Sequence, residues 1–276
     1  MQLVALDLDG TTIDFEQRLH PRTRAAVRAT VARGVHVLAA TGRMYRSALP
    51  WAGELGLRAP LICYQGATVW ALPEPGAPLR DGVPQGRLLA EDGLGADVCA
   101  RAIEVARGGG WHVQGYRDDR LLCERTGPEA DFYSRIAQVD YELVDDLALA
   151  VAQGSTKVVC VALEEAQAAA CETAMRAHLG ATARVVRSMR EFVEITNPVA
   201  GKGRALRTVC ALLGVAMEAV VAAGDAPNDA DMLAAAGFGV AVEDADPLAL
   251  AAADAVIPGP AGAGVALLLE TLGLVG

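Results

Sequence analysis

Lysine is nearly absent from this chain. Among its 276 residues and 24 basic side chains only Lys157 and Lys202 are lysines, the rest being arginine. Beside abundant Ala, Gly and Val, such usage marks a GC-rich coding background, so a lysine found there is a candidate for chemistry. Aromatic residues make up 4%, no basic run occurs, and the formal net charge is −10. That argues against a nucleic-acid partner, because Lys and Arg neutralising phosphates supply most of such affinity. No apolar run has the length needed to span a bilayer. The N-terminal stretch carries Asp7 and Asp9 without a basic region, unlike a secretion signal. A soluble cytoplasmic protein with no membrane partner is expected. Cys63, Cys99, Cys123, Cys160, Cys171 and Cys210 form neither C-x-x-C nor Cys/His zinc spacing. In apolar runs such as "KVVCVAL" they read as small hydrophobes. Neither G-x-S-x-G nor a Walker A loop is present.

What is there is apolar and periodic. Hydrophobic residues make up 53%, enough for a sizeable core and too many for disorder. Up to about residue 72 strand and helix alternate. "QLVALDL" predicts a strand, 21–33 a helix with Pro21 in its first turn and Gly34 at its end, and "VHVLAAT" a second strand stopping at Thr41. A helix over 46–55 and an apolar run at 60–63 follow. This alternation indicates a parallel sheet covered on both faces. Residues 71–86, "ALPEPGAPLRDGVPQG", read as a turn region or linker.

Beyond it the pattern changes. "WHVQGYR" and "RLLCER", split by Asp118-Asp119, predict a hairpin. A helix over 128–138, a strand "TKVVCVAL", a helix over 164–179 and the close pair "ARVVRS" and "EFVEIT" complete an α+β insert. From Lys202 the alternation resumes: helix 203–213, strand "AVVAAGD", a helix after Asn228, strand "FGVAV", helix 247–252, strand "DAVIP" and helix 262–272. The expected organisation is one α/β core from 1–83 and 197–276, interrupted by an insert at 84–196.

In an open parallel sheet, ligands bind beyond the carboxyl ends of the strands. Three loops fall there: Asp7-Leu8-Asp9-Gly10-Thr11, Thr41-Gly42-Arg43, and Gly224-Asp225-Ala226-Pro227-Asn228-Asp229. Lys202 opens the helix that precedes the last of these strands. Carboxylate oxygens clustered in a partly dry site ask for a hard cation. Mg²⁺, with few protein carboxylates, several waters and phosphate oxygen, fits this inventory. Zinc does not, because His20, His36, His112 and His178 all lie outside these loops. Each loop alone reads equally as a helix cap or a turn. It is their order, each at the end of a strand or the start of a helix, that reads as a site.

The segments "DLDGT" (7–11), "ATGR" (40–43), "AGKGRAL" (200–206) and "GDAPNDADML" (224–233) resemble the four motifs of the haloacid dehalogenase superfamily. The "ATGR" form, the long insert and "VEITNPVAGKG" are similar to its Cof-type subfamily IIB, with a C2B cap. The resemblance implies an α/β fold: a Rossmann-like parallel-sheet core with an inserted α+β cap that sets substrate specificity. It implies Mg²⁺-dependent hydrolysis of small phosphate monoesters, sugar phosphates above all, through an aspartyl-phosphate. Asp7 is then the nucleophile, and Asp9 the general acid and later the base. Mg²⁺ is held by Asp7, the Asp9 carbonyl and Asp225, with Asp229 positioning Lys202 or a metal-bound water. Thr41 and Lys202 take the phosphoryl oxygens. The backbone amides of Leu8 and Gly10 and the Gly42-Arg43 turn complete the substrate cradle, and Asn228 contacts phosphate there or orders its loop. Asp9 stands where P-type ATPases, which keep their aspartyl-phosphate, have threonine. A phosphomutase and a catalytically silent phosphometabolite-binding protein are the alternatives. The partner implied is a small phosphorylated metabolite, and nothing in the residues speaks to oligomeric state.

Two loops depart from that pattern. Gln65 in "ICYQGA" stands where the family commonly has asparagine, and Glu243 and Asp244 in "VAVEDADP" replace a Met-Gly-Asn-Ala type segment. In the insert, Arg117, Asp118, Arg120, Arg125 and Lys157 are polar candidates for substrate contact, each read most simply as part of a solvated face.

Overall fold

The computed structural model describes residues 1–275, at Ser188 the backbone alone. The chain divides into two compact units, Met1–Ala90 with the chain from Gly201 onward, and Glu91–Ala200. No described helix is long and apolar enough to cross a membrane.

The first unit begins with β1 (Leu3–Leu6), α1 (Pro21–Ala32), β2 (His36–Ala39), α2 (Tyr45–Leu55), β3 (Leu61–Cys63), β4 (Thr68–Ala71), β5 (Leu79–Arg80), β6 (Val83–Pro84) and β7 (Arg87–Glu91). The second unit holds α3 (Ala96–Gly109), β8 (His112–Arg117), β9 (Arg120–Cys123), α4 (Pro128–Ala137), β10 (Tyr141–Leu143), α5 (Leu147–Ala150), β11 (Val158–Val161), α6 (Glu165–Leu179), β12 (Arg184–Met189) and β13 (Phe192–Thr196). The first unit then resumes with α7 (Lys202–Leu213), β14 (Val220–Gly224), α8 (Ala230–Ala235), β15 (Phe238–Val242), α9 (Pro247–Ala252), β16 (Ala255–Ile257) and α10 (Gly264–Thr271).

The core sheet runs β16-β15-β14-β1-β2 with every pairing parallel. β1 and β14 are buried at every position, which is why they read as unbroken apolar runs rather than alternating ones. From β1 the chain winds to β2 on one side, and from β14 to β15 on the other. The seam between β1 and β14 is therefore a topological switch point, the place where an open α/β sheet leaves a crevice for a ligand.

The unit boundaries lie at Glu91 and Ala200, against 84 and 196 expected from the sequence. β7 joins β3 and β4 in a three-stranded sheet, which keeps 84–90 with the first unit. At the other end Asn197 Nδ2 donates to the Gly93 carbonyl at 2.8 Å, which ties 197–200 to the second. The expected linker at 71–86 instead contains a hairpin. β5 pairs antiparallel with β6 around Asp81-Gly82, both at positive φ, the conformation of a type I′ turn.

In the second unit the sheet order is β10-β9-β8-β11-β13-β12, antiparallel except for β10 with β9. The β8–β9 hairpin turns on Asp118-Asp119, again both left-handed. One sheet face, with Val113, Leu122, Val158, Cys160, Val193 and Ile195, packs on apolar residues of α3 and α6. Alternation sends His112, Gln114, Tyr116 and Glu194 to the opposite face, where they are buried. Lys157, expected on a solvated face, is buried there too. Its Nζ donates to Glu194 Oε2 at 3.0 Å and stands 5.2 Å from the Tyr116 ring centre. All six cysteines are free and buried, as small hydrophobes would be.

Candidate active site

The site is built where β1 and β14 end side by side. The Asp7 amide donates to the Ala223 carbonyl at 2.9 Å, so the parallel ladder continues one residue past β1. This delivers the Asp7 side chain to the seam, 4% exposed. Lys202 Nζ donates to Asp7 Oδ1 and to Asp229 Oδ1, both at 2.6 Å. The other Asp229 oxygen accepts the backbone amides of Asp225 and Ala226 at 3.1 and 3.0 Å. Asp229 is thus fully engaged, one oxygen on the lysine and one on its own loop.

Lys202 is the first residue of α7, and its place is set by a close backbone approach. A Cβ on Gly66, whose φ is +90°, would lie 2.2 Å from the Gly201 carbonyl carbon and 2.6 Å from the Lys202 nitrogen. Only glycine fits both the conformation and the space. Asp231 on α8 secures the first turn, accepting the Gly203 amide at 3.1 Å. Gly66→Ala is therefore expected to cost more than about 2 kcal/mol of stability, from a clash with backbone plus left-handed strain. Urea unfolding measures that cost, and a loss below about 0.5 kcal/mol would contradict the packing described.

Asp225 follows β14. Thr11 Oγ1 donates to its Oδ1 at 2.7 Å. Gly10, at φ +87°, passes so near that a Cβ would stand 2.3 Å from Asp225 Oδ2. Thr12 Oγ1 donates to the Asp7 carbonyl at 2.5 Å. These two threonines hold the acidic loops, a role the sequence reading missed although Thr11 closes its first motif and Thr12 directly follows it. Leu8 is a core residue whose carbonyl accepts the Thr12 and Ile13 amides. The Gly10 amide was expected to face a ligand. Here it donates to the Ile13 carbonyl at 2.8 Å, because the loop closes on itself.

Asp9 and Arg43 form a separate pair. Arg43 Nε donates to Asp9 Oδ2 at 2.8 Å and Nη2 to Oδ1 at 2.6 Å, a bidentate fork. Gln17 Nε2 adds a bond to Asp9 Oδ1 at 3.3 Å, and the Arg43 guanidinium lies 5.8 Å from the Trp51 ring centre. The Asp9 carboxylate is thus turned to Arg43, not to the acidic cluster. Thr41 is fully buried, its amide donating to the Ile62 carbonyl and its Oγ1 accepting the Arg43 amide at 3.2 Å. That leaves the Thr41 hydroxyl proton able to donate. Beside it Gly42 lies against the Gln65 carboxamide. Asn228 Nδ2 donates to Gln65 Oε1. Glu243 and Asp244 are exposed and outside the cluster.

The electrostatics are unbalanced in one direction. Oxygens of Asp7, Asp225 and Asp229 lie within 4.8 Å of one another. Burial pushes the Asp7 carboxyl well above the usual range, with Lys202 pulling it down and Asp229 and Asp225 adding to the rise. Burial likewise raises Asp225, with Asp229 contributing. Burial works against the Lys202 charge, yet the Asp229 and Asp7 carboxylates outweigh it and hold the ammonium above its ordinary value. Three carboxylates against one lysine leave an excess of negative charge in a desolvated place. A set of hard oxygen donors with such an excess fits Mg²⁺. The arrangement brings a buried carboxylate, an ammonium able to face anionic oxygens and a cluster of acidic oxygens that could hold a cation to one crevice.

Residues 4–269 match the family described as haloacid dehalogenase-like hydrolase. The chain is 30% identical over 251 residues to the HMP-PP phosphatase of Serratia proteamaculans, covering 89% of this chain and 85% of that one. A solved structure from Thermotoga maritima is similar at a TM-score of 0.86 and 26% identity, covering 98% of this chain and 97% of the other. A structure described as a HAD subclass IIB sugar phosphatase matches at a TM-score of 0.82 over the full length of both chains, and at 18% identity the likeness is one of fold.

Proposed function

The chain belongs to the haloacid dehalogenase-like hydrolases, and from that premise we propose a Cof-type phosphatase that hydrolyses small phosphate monoesters, sugar phosphates foremost, with Mg²⁺. The observation that carries this reading is the buried Lys202 bridge between Asp7 and Asp229, with Asp225 alongside, at the β1–β14 switch point.

In this reading Asp7 attacks phosphorus and forms an aspartyl-phosphate as the alkoxide leaves. Asp9 gives that alkoxide a proton and later takes one from the water that attacks the acyl-phosphate. The Arg43 fork orients the Asp9 carboxylate, and one of its two oxygens must be freed before it carries a proton. Lys202 and the Thr41 hydroxyl hold phosphoryl oxygens, where transition-state charge resides. Asp229 positions Lys202, since both its oxygens are already engaged. Asp7, Asp225 and the Asp9 carbonyl would hold Mg²⁺, which when bound neutralises the phosphoryl charge facing the anionic nucleophile. The second unit, 91–200, serves as the substrate-selecting cap.

The name of the Serratia relative supports a second reading of the substrate, namely HMP-PP. Phosphate release over a panel of sugar phosphates, nucleotides, pyridoxal phosphate, phosphoglycolate and HMP-PP separates the two. Activity is expected to vanish with EDTA and to return with Mg²⁺. Undiminished release in EDTA would remove the metal from the proposal, and an isomerised product without phosphate release would turn it to a mutase.

A further inference from the structure

Tyr64, Gln65 and Gly66 follow β3 with φ of 52°, 59° and 90°. Two successive residues bearing side chains in the left-handed region are strained, and such strain concentrates where side-chain placement matters. The Gln65 amide donates to the Thr41 carbonyl at 3.1 Å. Its side chain lies over Gly42, where a Cβ would stand 2.5 Å from Nε2. Its Oε1 accepts from Asn228 Nδ2. One residue thus touches both the loop carrying Thr41 and the loop carrying Asp229, next to the Gly66 contact that seats Lys202.

The bond from Asn228 fixes which end of the Gln65 carboxamide is free. With Oε1 engaged, Nε2 has no hydrogen-bond partner among the described residues, and Asn228 Oδ1 is buried without one as well. The partly buried Gln65 Nε2 is thus the end left free to donate beside Gly42, open to an acceptor oxygen on a ligand. We propose that Gln65 is a substrate-binding residue, oriented by Asn228 so that its Nε2 donates to an oxygen of the bound phosphoryl group. This rests on the phosphatase reading above. A carboxamide N–H facing an anionic oxygen makes a charge-assisted bond, stronger than a neutral one. It adds a donor without adding charge, beside a lysine already shared between two carboxylates.

Three variants test this. Gln65→Glu keeps an acceptor for Asn228 and removes the donor, Gln65→Met removes both polar ends at similar length, and Gln65→Gly removes the side chain at a φ glycine prefers. Inorganic phosphate, titrated calorimetrically in Mg²⁺, reads binding independently of turnover, and KM and kcat are measured on the best ester of the panel. The Glu and Met variants are expected to weaken phosphate binding and raise KM roughly ten- to a hundredfold, Glu the more. The Gly variant is expected to lose the same binding while melting no lower than wild type. Phosphate binding within about threefold of wild type in both Glu and Met variants, or a wild type that binds no phosphate, overturns the proposal. A Gly variant that melts far below wild type while the Met variant binds normally assigns Gln65 to holding the loop, and also overturns it. If the wild type binds phosphate yet releases none from any ester, the phosphatase reading fails. The titration then still decides the role of Gln65.

Discussion

Asp7→Asn is expected to lower phosphate release by at least roughly a thousandfold, because the proposed mechanism passes through an acyl-phosphate that the amide cannot form. The fold should survive the change. Asparagine has nearly the same shape, the backbone bond from Asp7 to Ala223 is untouched, and Lys202 keeps its 2.6 Å bond to Asp229. Burial already opposes the Asp7 charge, so removing that charge is expected to leave the melting temperature unchanged or slightly higher. Activity and stability then move in opposite senses, as expected where a destabilised group is kept for its chemistry. Acid-quenched wild-type enzyme examined by mass spectrometry should carry phosphate on Asp7. Release within tenfold of wild type in the variant would remove Asp7 from the nucleophile role.

The largest stability effect is expected in the second unit, at the other lysine. Lys157→Met leaves Glu194 buried without its cation, a change expected to cost about 3–5 kcal/mol. Converting Glu194 to leucine as well should recover most of the loss, since it is the unpaired charge that is costly, not the absence of the pair. Hydrogen exchange of the β8, β11 and β13 amides reads this locally, and exchange in the single variant as slow as in wild type would refute it. The pair also sets a pH dependence. Burial works against the Lys157 ammonium, but Glu194 and Tyr133 outweigh it and raise its pKa above the ordinary value. A lysine raised on folding contributes fully below its unfolded pKa of about 10.4 and loses that contribution as pH rises through the higher folded value. Wild type and Lys157→Met should therefore differ by a constant amount at neutral pH and converge only above about pH 10.4.

Much of the fold was legible along the chain. β1 and β14 read as continuous apolar runs because both their faces are covered, and β8 with β9 announced a hairpin through Asp118-Asp119. The β5–β6 hairpin went unread because its Asp81-Gly82 turn sits among prolines that make the whole stretch look like a linker. Lys157 drew notice for its rarity, but its burial did not, since β11 alone says nothing of Glu194 on β13. The site divides in the same way. Asp7, Asp225 and Asp229 were named from their loops and Lys202 from the start of its helix, whereas the turning of the Asp9 carboxylate to Arg43 and the joining of Gln65 to Asn228 were not.

The order of residues along the chain determined which groups stand at strand ends, because strand and helix periods and their terminators are local properties. Which of those groups meet was decided only in three dimensions. Lys202 reaches Asp7 because β14 lies beside β1 in the sheet, and it reaches that point because Gly66 lets two backbones touch. Hydrogen bonds and ion pairs are contacts of a few ångströms between residues far apart in the chain, and only strand order and close packing bring such residues together.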